Sequence, residues 1–147
     1  MSRKFHGIFS LVLVGVAVAL GLFSIARESW LMGLLYVAIS GISLFIVVYA
    51  FCAKCPCRLH DCAHVLPGKL TTLLPPRQAG PYTALDLIGM SVPLLLIFLF
   101  PQFWLWKNPI FLVIFWVLCI VASVEIVCYV CKGCQNEYCP VCTLRNG

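Results

Sequence analysis

Four long stretches of the chain are almost entirely apolar, and the polar residues are concentrated in the segments between them. The stretches cover residues 8–26, 30–51, 85–106 and 109–130. Each has about 20 residues, the length of a helix that crosses a ~30 Å hydrocarbon core. A backbone inside a bilayer has no water to bond to, so each stretch is expected to be helical. The pattern therefore predicts four transmembrane helices.

The links between these stretches set their arrangement. Residues 27–29 join the first two stretches and residues 107–108 join the last two, so each pair is expected to form an antiparallel hairpin. Proline lacks a backbone N–H and clashes with the preceding helical turn. Pro93 and Pro101 therefore predict a kink or an early end in the third helix.

Composition supports a membrane environment. The chain has 147 residues, of which 63% are hydrophobic and 10% are charged. A soluble domain is about half apolar and about a quarter charged, and one of this size still exposes much of its surface to water. We expect residues 1–147 to form a single membrane domain. The predicted fold class is an all-α membrane protein, a four-helix bundle with a small cysteine-rich, metal-binding cap on one face.

The cations are distributed unequally between the two sides of such a bundle. Four crossings place the N-terminus, the loop 52–84 and the tail 128–147 on the same side. That side carries Arg3, Lys4, Lys54, Arg58, Lys69, Arg77, Lys132 and Arg145, and the other side carries Arg27 and Lys107. Because cytoplasmic loops are rich in Lys and Arg, the loop, the tail and both termini are expected on the cytoplasmic side of the inner (cytoplasmic) membrane.

The basic face has two interpretations. Its cations can simply set the topology and contact anionic headgroups, which the positive-inside rule already explains. They can also form a docking surface for an acidic region of a membrane or soluble protein partner. Nucleic acid is not an expected partner, because the chain has no basic soluble domain.

Nine of the ten cysteines lie in the loop or the tail. Cytosolic thiols are kept reduced, so such clusters indicate a metal site or catalysis rather than disulfides. Two-residue gaps between cysteines recur in both segments and are typical of zinc knuckles and of iron–sulfur loops. The expected metal ligands are Cys52, Cys55, Cys57, Cys62, His64, Cys128, Cys131, Cys134, Cys139 and Cys142.

The identity of the metal stays open between two cofactors. The run from Cys128 to Pro140 resembles the bacterial ferredoxin spacing, with one additional residue before Cys139, and all-cysteine sites slightly favour an iron–sulfur cluster. Zinc is the alternative, because the tail contains two CxxC pairs and His60 or His64 can complete a Cys3His set in the loop.

The predicted helices contain few ionisable or metal-binding side chains. Glu125 and Asp86 lie near helix ends, where they can reach water or pair with a lysine or arginine of the cap, and Cys119 at mid-span is expected to be a packing residue. A transporter or pump acting alone is therefore not expected, and the chain is more readily interpreted as a non-catalytic subunit than as an enzyme.

The leading hypothesis is a membrane subunit that anchors one or two iron–sulfur centres for electron transfer in a larger complex. The alternatives are an assembly protein with a zinc-stabilised cap, and soft-metal handling or thiol redox chemistry.

The segment from residue 65 to residue 81 contains several leucines between prolines and glycines. We expect it either to cover the cysteines as a lid or to lie at the membrane surface as a connector.

Overall fold

The computed structural model describes residues 2–59, 62–75, 77–132, 134, 136, 138 and 139, so Cys142 and His60 lie outside the described residues. The α-helices, in chain order, are α1 (Arg3–Ala26), α2 (Trp30–Ala50), α3 (Val65–Leu70), α4 (Ala84–Leu99), α5 (Gln102–Leu105) and α6 (Pro109–Glu125). Short 3-10 turns occupy Cys52–Lys54 and Thr71–Leu73, and a π-helical turn at Ile126–Val130 continues α6.

Four helical segments are long and apolar enough to cross a membrane, namely Arg3–Ala26, Trp30–Lys54, Ala84–Leu105 and Pro109–Val130. They confirm the four predicted helices and indicate an integral membrane protein. The first helix begins at Arg3 rather than at residue 8, because the Ser2 hydroxyl accepts a hydrogen bond from the Phe5 N–H and caps the helix.

The helices pack as a chain of neighbours rather than around a large core. Helix α1 contacts both α2 and α6, and α2 contacts α4. A small buried cluster of Ala17, Leu105 and Phe115 lies between α1, α5 and α6. Most other large apolar side chains on the four long helices are exposed on the bundle surface, the arrangement expected where lipid surrounds a bundle.

The third span is interrupted at its second proline. Helix α4 continues through Pro93, ends at Leu99 and is followed by α5, which confirms the predicted early end. Pro101 cannot donate to the Ile97 carbonyl one turn earlier. The buried hydroxyl of Tyr36, on α2, donates to that carbonyl over 2.9 Å. A neighbouring helix thus satisfies the group that the proline leaves unpaired.

The connections between the helices determine which helix termini lie at each end of the bundle. The N-terminus of α1, the C-terminus of α2, the N-terminus of α4 and the C-terminus of α6 share one end. The loop after α2 and the tail after α6 therefore begin at this end. The tight turns after α1 and α5 lie at the other end, where the Lys107 ammonium and a Glu28 carboxylate oxygen are 2.6 Å apart.

Candidate functional site

Thiols from the loop and from the tail lie close together at one end of the bundle. We call the described thiols of this region the cysteine cap: Cys52, Cys55, Cys57, Cys62, Cys131, Cys134 and Cys139. The Asn136 amide of the tail donates to the Cys55 sulfur of the loop over 3.4 Å. The same amide donates to the Tyr82 hydroxyl over 3.3 Å. The loop and the tail are therefore directly connected, although more than 70 residues separate Cys55 from Cys134.

Burial keeps the thiols of Cys55 and Cys62 protonated. Chiefly through burial, the pKa of Cys55 is raised to about 11, with smaller contributions from the nearby thiols of Cys57, Cys134 and Cys62. Burial also raises the pKa of Cys62, with Cys134 and Cys57 adding to the shift and Arg3 opposing it. Any metal that binds these sulfurs must displace protons, because thiolates are the ligands.

A buried ion-pair cluster ties the loop to α4. The Asp86 side chain is 4% exposed, and its two oxygens lie 2.7 Å from the Lys54 ammonium and 2.8 Å from the Arg77 guanidinium. The Thr83 N–H also donates to Asp86, and the Thr83 hydroxyl accepts from the Asp86 N–H, forming a capping box. The Asp86 carboxylate thus holds both ends of the cysteine loop, at Lys54 and at Arg77, against the start of α4.

The loop also docks on the first turns of α1. Gly7 faces the Ala63 carbonyl so closely that a methyl group at this position would overlap the oxygen. One turn further along α1, the fully buried Ser10 hydroxyl lies 3.2 Å from His64 Nε2. These two contacts fix the backbone immediately after Cys62.

His64, one of the predicted ligands, is thus engaged by α1 through Nε2. Burial lowers its pKa, so the neutral imidazole is favoured at physiological pH. The Cys62 thiol donates to the His64 backbone carbonyl over 3.2 Å. This arrangement gives His64 a role in the packing of the loop on α1.

The tail begins within the last turns of the α6 span. Cys128 lies in the π-helical turn and is exposed, whereas Cys131 and Cys139 are buried beside Phe51 and Ile126. Phe51, in turn, stacks on Tyr82 with ring centroids 4.6 Å apart. A stacked aromatic pair therefore lies beside the two buried tail cysteines.

Helix α3 contacts the Cys62 side chain with only one of its sides. Gly68 approaches the Arg58 carbonyl and the Cys62 side chain, so there is no room for a larger residue. On the opposite side, Leu66 is 63% exposed, and Leu73 in the following 3-10 turn is 83% exposed. The segment thus contacts a cysteine, as expected of a lid, and presents its leucines outward, as expected of a surface connector.

A second polar contact links α1 to α6 near the same end. His6 Nδ1 lies 2.6 Å from a Glu125 carboxylate oxygen, and the His6 ring stacks on Tyr129 at 4.5 Å. The sequence predicts that Glu125 reaches water or pairs with a lysine or arginine of the cap. Its partner is instead a histidine of α1, which lets the carboxylate remain partly buried near the membrane.

Among the described residues, no three Cys, His, Asp or Glu side chains are arranged as a ready metal-binding group. The structure thus places the thiols of the cysteine cap at one end of the bundle without assembling them around one point, and exposed Cys128 is not among them. Cys142 of the predicted ligand set lies outside the described residues. Sequence reasoning missed Asn136, Tyr82 and Ser10 as neighbours of the cysteines, because nothing in their local sequence signals a contact across the fold.

Comparison with protein families, with curated proteins and with solved structures finds no match for this chain. The functional argument therefore depends on the residues of the cysteine cap and on their surroundings.

Proposed function

We propose that this chain is a membrane subunit that holds an iron–sulfur centre in its cysteine cap and exchanges electrons with a partner protein. The observation that carries the proposal is the proximity of loop and tail cysteines at one end of the bundle, with Cys134 close enough to Cys55 and Cys62 to raise the pKa of both. Dense thiols outside a disulfide framework are typical of metal centres.

Three observations favour iron–sulfur over a purely structural zinc. First, the described sulfurs of the cysteine cap outnumber His64, the one described histidine of the loop, whose Nε2 already contacts Ser10. Second, Asp86, Gly7 and Asn136 already fasten the loop and the tail, so a metal is not needed as the only fastener of this region. Third, the Asn136 amide donates to the Cys55 sulfur, and hydrogen bonds to sulfur are one means of setting the reduction potential of a cluster.

The surrounding charges suit a centre built from thiolates. Lys54 lies in the sequence between two of the cysteines, and Arg3 is close enough to Cys62 to lower the pKa of its thiol. Positive charges near the sulfurs favour their deprotonated form. We propose that metal binding draws sulfurs of the loop and the tail inward and releases protons, because the described thiols are not preassembled around one point.

The second candidate is a zinc-stabilised cap that serves assembly. The specific observation in its favour is that Cys131 and Cys139, the first members of the two tail CxxC pairs, are both buried in one cluster. Buried paired knuckles are typical of structural zinc. Transfer of a soft metal across the membrane has less support, because Cys119 is the one cysteine within the middle of a described span.

We further propose that the cysteine cap lies on the cytoplasmic side and that its basic surface contacts the electron-transfer partner. Lys69 and Lys132 are both exposed at this end. They complement an acidic surface on a partner and anionic headgroups of the adjacent leaflet.

The test is anaerobic purification followed by elemental analysis and visible and EPR spectroscopy, before and after reduction. We expect iron and sulfide in the purified protein. We also expect Cys55→Ser and Cys134→Ser to lose both, with Cys119→Ser as the matched control that keeps them. A colourless protein that contains stoichiometric zinc would replace the first candidate by the second. Protein that contains neither metal under these conditions would contradict both.

A further inference from the structure

The end of the bundle away from the cysteines carries a pocket that the proposed function does not use. It lies where the turns after α1 and α5 meet and has a volume of about 260 Å³. Exposed Arg27, Glu28 and Lys107 contribute charged side chains to its lining, and partly buried Trp104 and Phe111 contribute aromatic ones. We call this feature the turn pocket.

The turn pocket carries an excess positive charge. The Lys107 ammonium lies 2.6 Å from a Glu28 carboxylate oxygen, so these two charges offset each other. The Arg27 guanidinium lies 5.7 Å from the centre of the Phe23 ring, and no described carboxylate is within ion-pair distance of it. Arg27 is therefore available to bind an anionic group, with Lys107 close by.

The size of the turn pocket restricts its ligand. Pockets for drug-sized molecules occupy about 300–1,000 Å³ and enclose most of the ligand. The turn pocket is smaller and open to the surroundings, so it fits a charged group whose remaining part extends outside.

The position of the turn pocket indicates that the part of the ligand outside it is apolar and lies in the membrane. The pocket lies at the ends of transmembrane helices, the depth at which lipid headgroups and interfacial tryptophans are found. Trp30 and Trp106, at the same end of the bundle, are 72% and 76% exposed. The ring of Phe111, which lines the pocket, lies 6.1 Å from that of exposed Phe23 of α1, and the two form an apolar surface that continues from the pocket along the bundle.

We propose that the turn pocket binds the phosphate headgroup of a phospholipid in the leaflet opposite the cysteine cap. Phosphate oxygens accept hydrogen bonds from Arg27, whose planar group suits phosphate recognition, and Lys107 adds a second cation. The acyl chains lie along Phe23 and Phe111. This inference does not depend on the metal centre at the other end.

The experiment uses the full chain, delipidated in detergent and titrated with phosphatidylglycerol while native mass spectrometry counts the bound lipid. We expect one saturable site and about tenfold weaker binding in Arg27→Gln, because charge-assisted hydrogen bonds to the phosphate are lost. Lys4→Gln removes an exposed cation at the start of α1, at the opposite end of the bundle, and is the control, with unchanged affinity expected. A thermal melt of each variant in detergent checks that it is folded.

A second variant makes the test independent of Arg27. Glu28→Gln frees Lys107 from its partner and should tighten the binding of phosphatidylglycerol, whereas unchanged or weaker binding contradicts the proposal. Equal binding of diacylglycerol, which lacks phosphate, would also overturn it. Inorganic phosphate separates the two sources of this chemistry, since displacement of lipid by millimolar phosphate would identify a site for the free anion and overturn the lipid assignment.

Discussion

The absence of a side chain at Gly7 allows the cysteine loop to dock on α1. We expect Gly7→Ala to lower the free energy of unfolding by about 1–3 kcal/mol, because the added carbon overlaps the Ala63 carbonyl and the backbone at this contact must shift. The loop, rather than the long helix, is expected to give way. The measurement is thermal or denaturant unfolding in detergent, combined with metal content, which should fall with the displaced loop.

Gly15→Ala is the matched control on the same helix. A methyl group at Gly15 meets nothing within 4 Å, so this variant tests the effect of replacing a helical glycine without the clash. We expect stability equal to or slightly above that of the parent, since alanine favours helix more than glycine does. Equal destabilisation by both variants would show that the contact between Gly7 and Ala63 is unimportant.

The thiol of Cys55 should react slowly in metal-free protein at neutral pH. Burial raises its pKa from 9.0 to about 11, and only the thiolate attacks alkylating reagents. The rate of alkylation by iodoacetamide should therefore keep rising about tenfold per pH unit above pH 9, where an ordinary thiol of pKa 9.0 levels off. Peptide mapping by mass spectrometry measures the rate at this residue. The denatured chain is the control, and the same pH profile in both states would contradict the burial.

At the scale of elements, the ion-pair cluster around Asp86 is expected to contribute more than any exposed pair. Asp86→Asn leaves Lys54 and Arg77 without their common carboxylate in a poorly hydrated place, and breaking such a buried pair costs about 3–5 kcal/mol. We expect lower unfolding stability and proteolysis within the loop 52–84. The measurements are unfolding in detergent and limited digestion followed by mass spectrometry.

Glu28→Gln is the control for this prediction. It removes the carboxylate of the Lys107 pair, whose side chains are 41% and 51% exposed, so the expected loss is at most about 1 kcal/mol. Equal losses in the two variants would mean that burial of Asp86 does not strengthen its ion pairs.

The hydroxyl of Tyr36 should stabilise the break between α4 and α5. Tyr36→Phe leaves the Ile97 carbonyl unpaired beside Pro101, and hydrogen bonds between membrane helices contribute about 0.6 kcal/mol on average and up to about 1.7 kcal/mol. Because the Tyr36 side chain is buried, we expect a loss near the upper value in unfolding titrations. Tyr49→Phe on the same helix keeps the aromatic ring near Arg77 and should change stability little. A larger loss in Tyr49→Phe would contradict this account.

The elements are predictable to the extent that local sequence determines them. Runs of apolar residues identify the four spans, and Pro101 marks the end of α4, because both effects act within a few residues. The observed start of α1 precedes the predicted one by several residues, since the apolar run alone does not reveal the cap at Ser2. The donor that compensates for Pro101 is not predictable, because Tyr36 lies on a different helix.

At the scale of the whole molecule, topology brings the loop and the tail to the same end, and an even number of crossings is enough to predict this. Which thiols become neighbours depends instead on how the loop packs on α1 and α4, through Gly7 and Asp86. The turn pocket likewise arises from two hairpin turns that meet only after the helices pack. Such long-range contacts have no signature in one stretch of sequence.

The charge asymmetry leads to the last prediction, that the cysteine cap faces the cytoplasm. By the sequence, eight of the ten cations are assigned to its side, so intact bacterial spheroplasts should protect its thiols from a membrane-impermeant maleimide. Lys107→Cys places a reporter thiol at the opposite end and removes a cation from that side, so the variant preserves the charge bias. This thiol should react in intact spheroplasts, and the cap thiols should react only after the membrane is opened.

A membrane-permeant maleimide is the control for accessibility, because it should reach cap thiols that are exposed to water in both preparations. The reverse pattern, with the cap labelled in intact spheroplasts and the reporter thiol protected, would place the cysteines in an oxidising compartment. Their pairing as disulfides would then be the simpler explanation of their density, since the reducing cytosol is what keeps thiols available for a metal. The side of the membrane on which the cap lies thus tests the topology and also a condition of the metal proposal, namely that the thiols are in a reducing compartment.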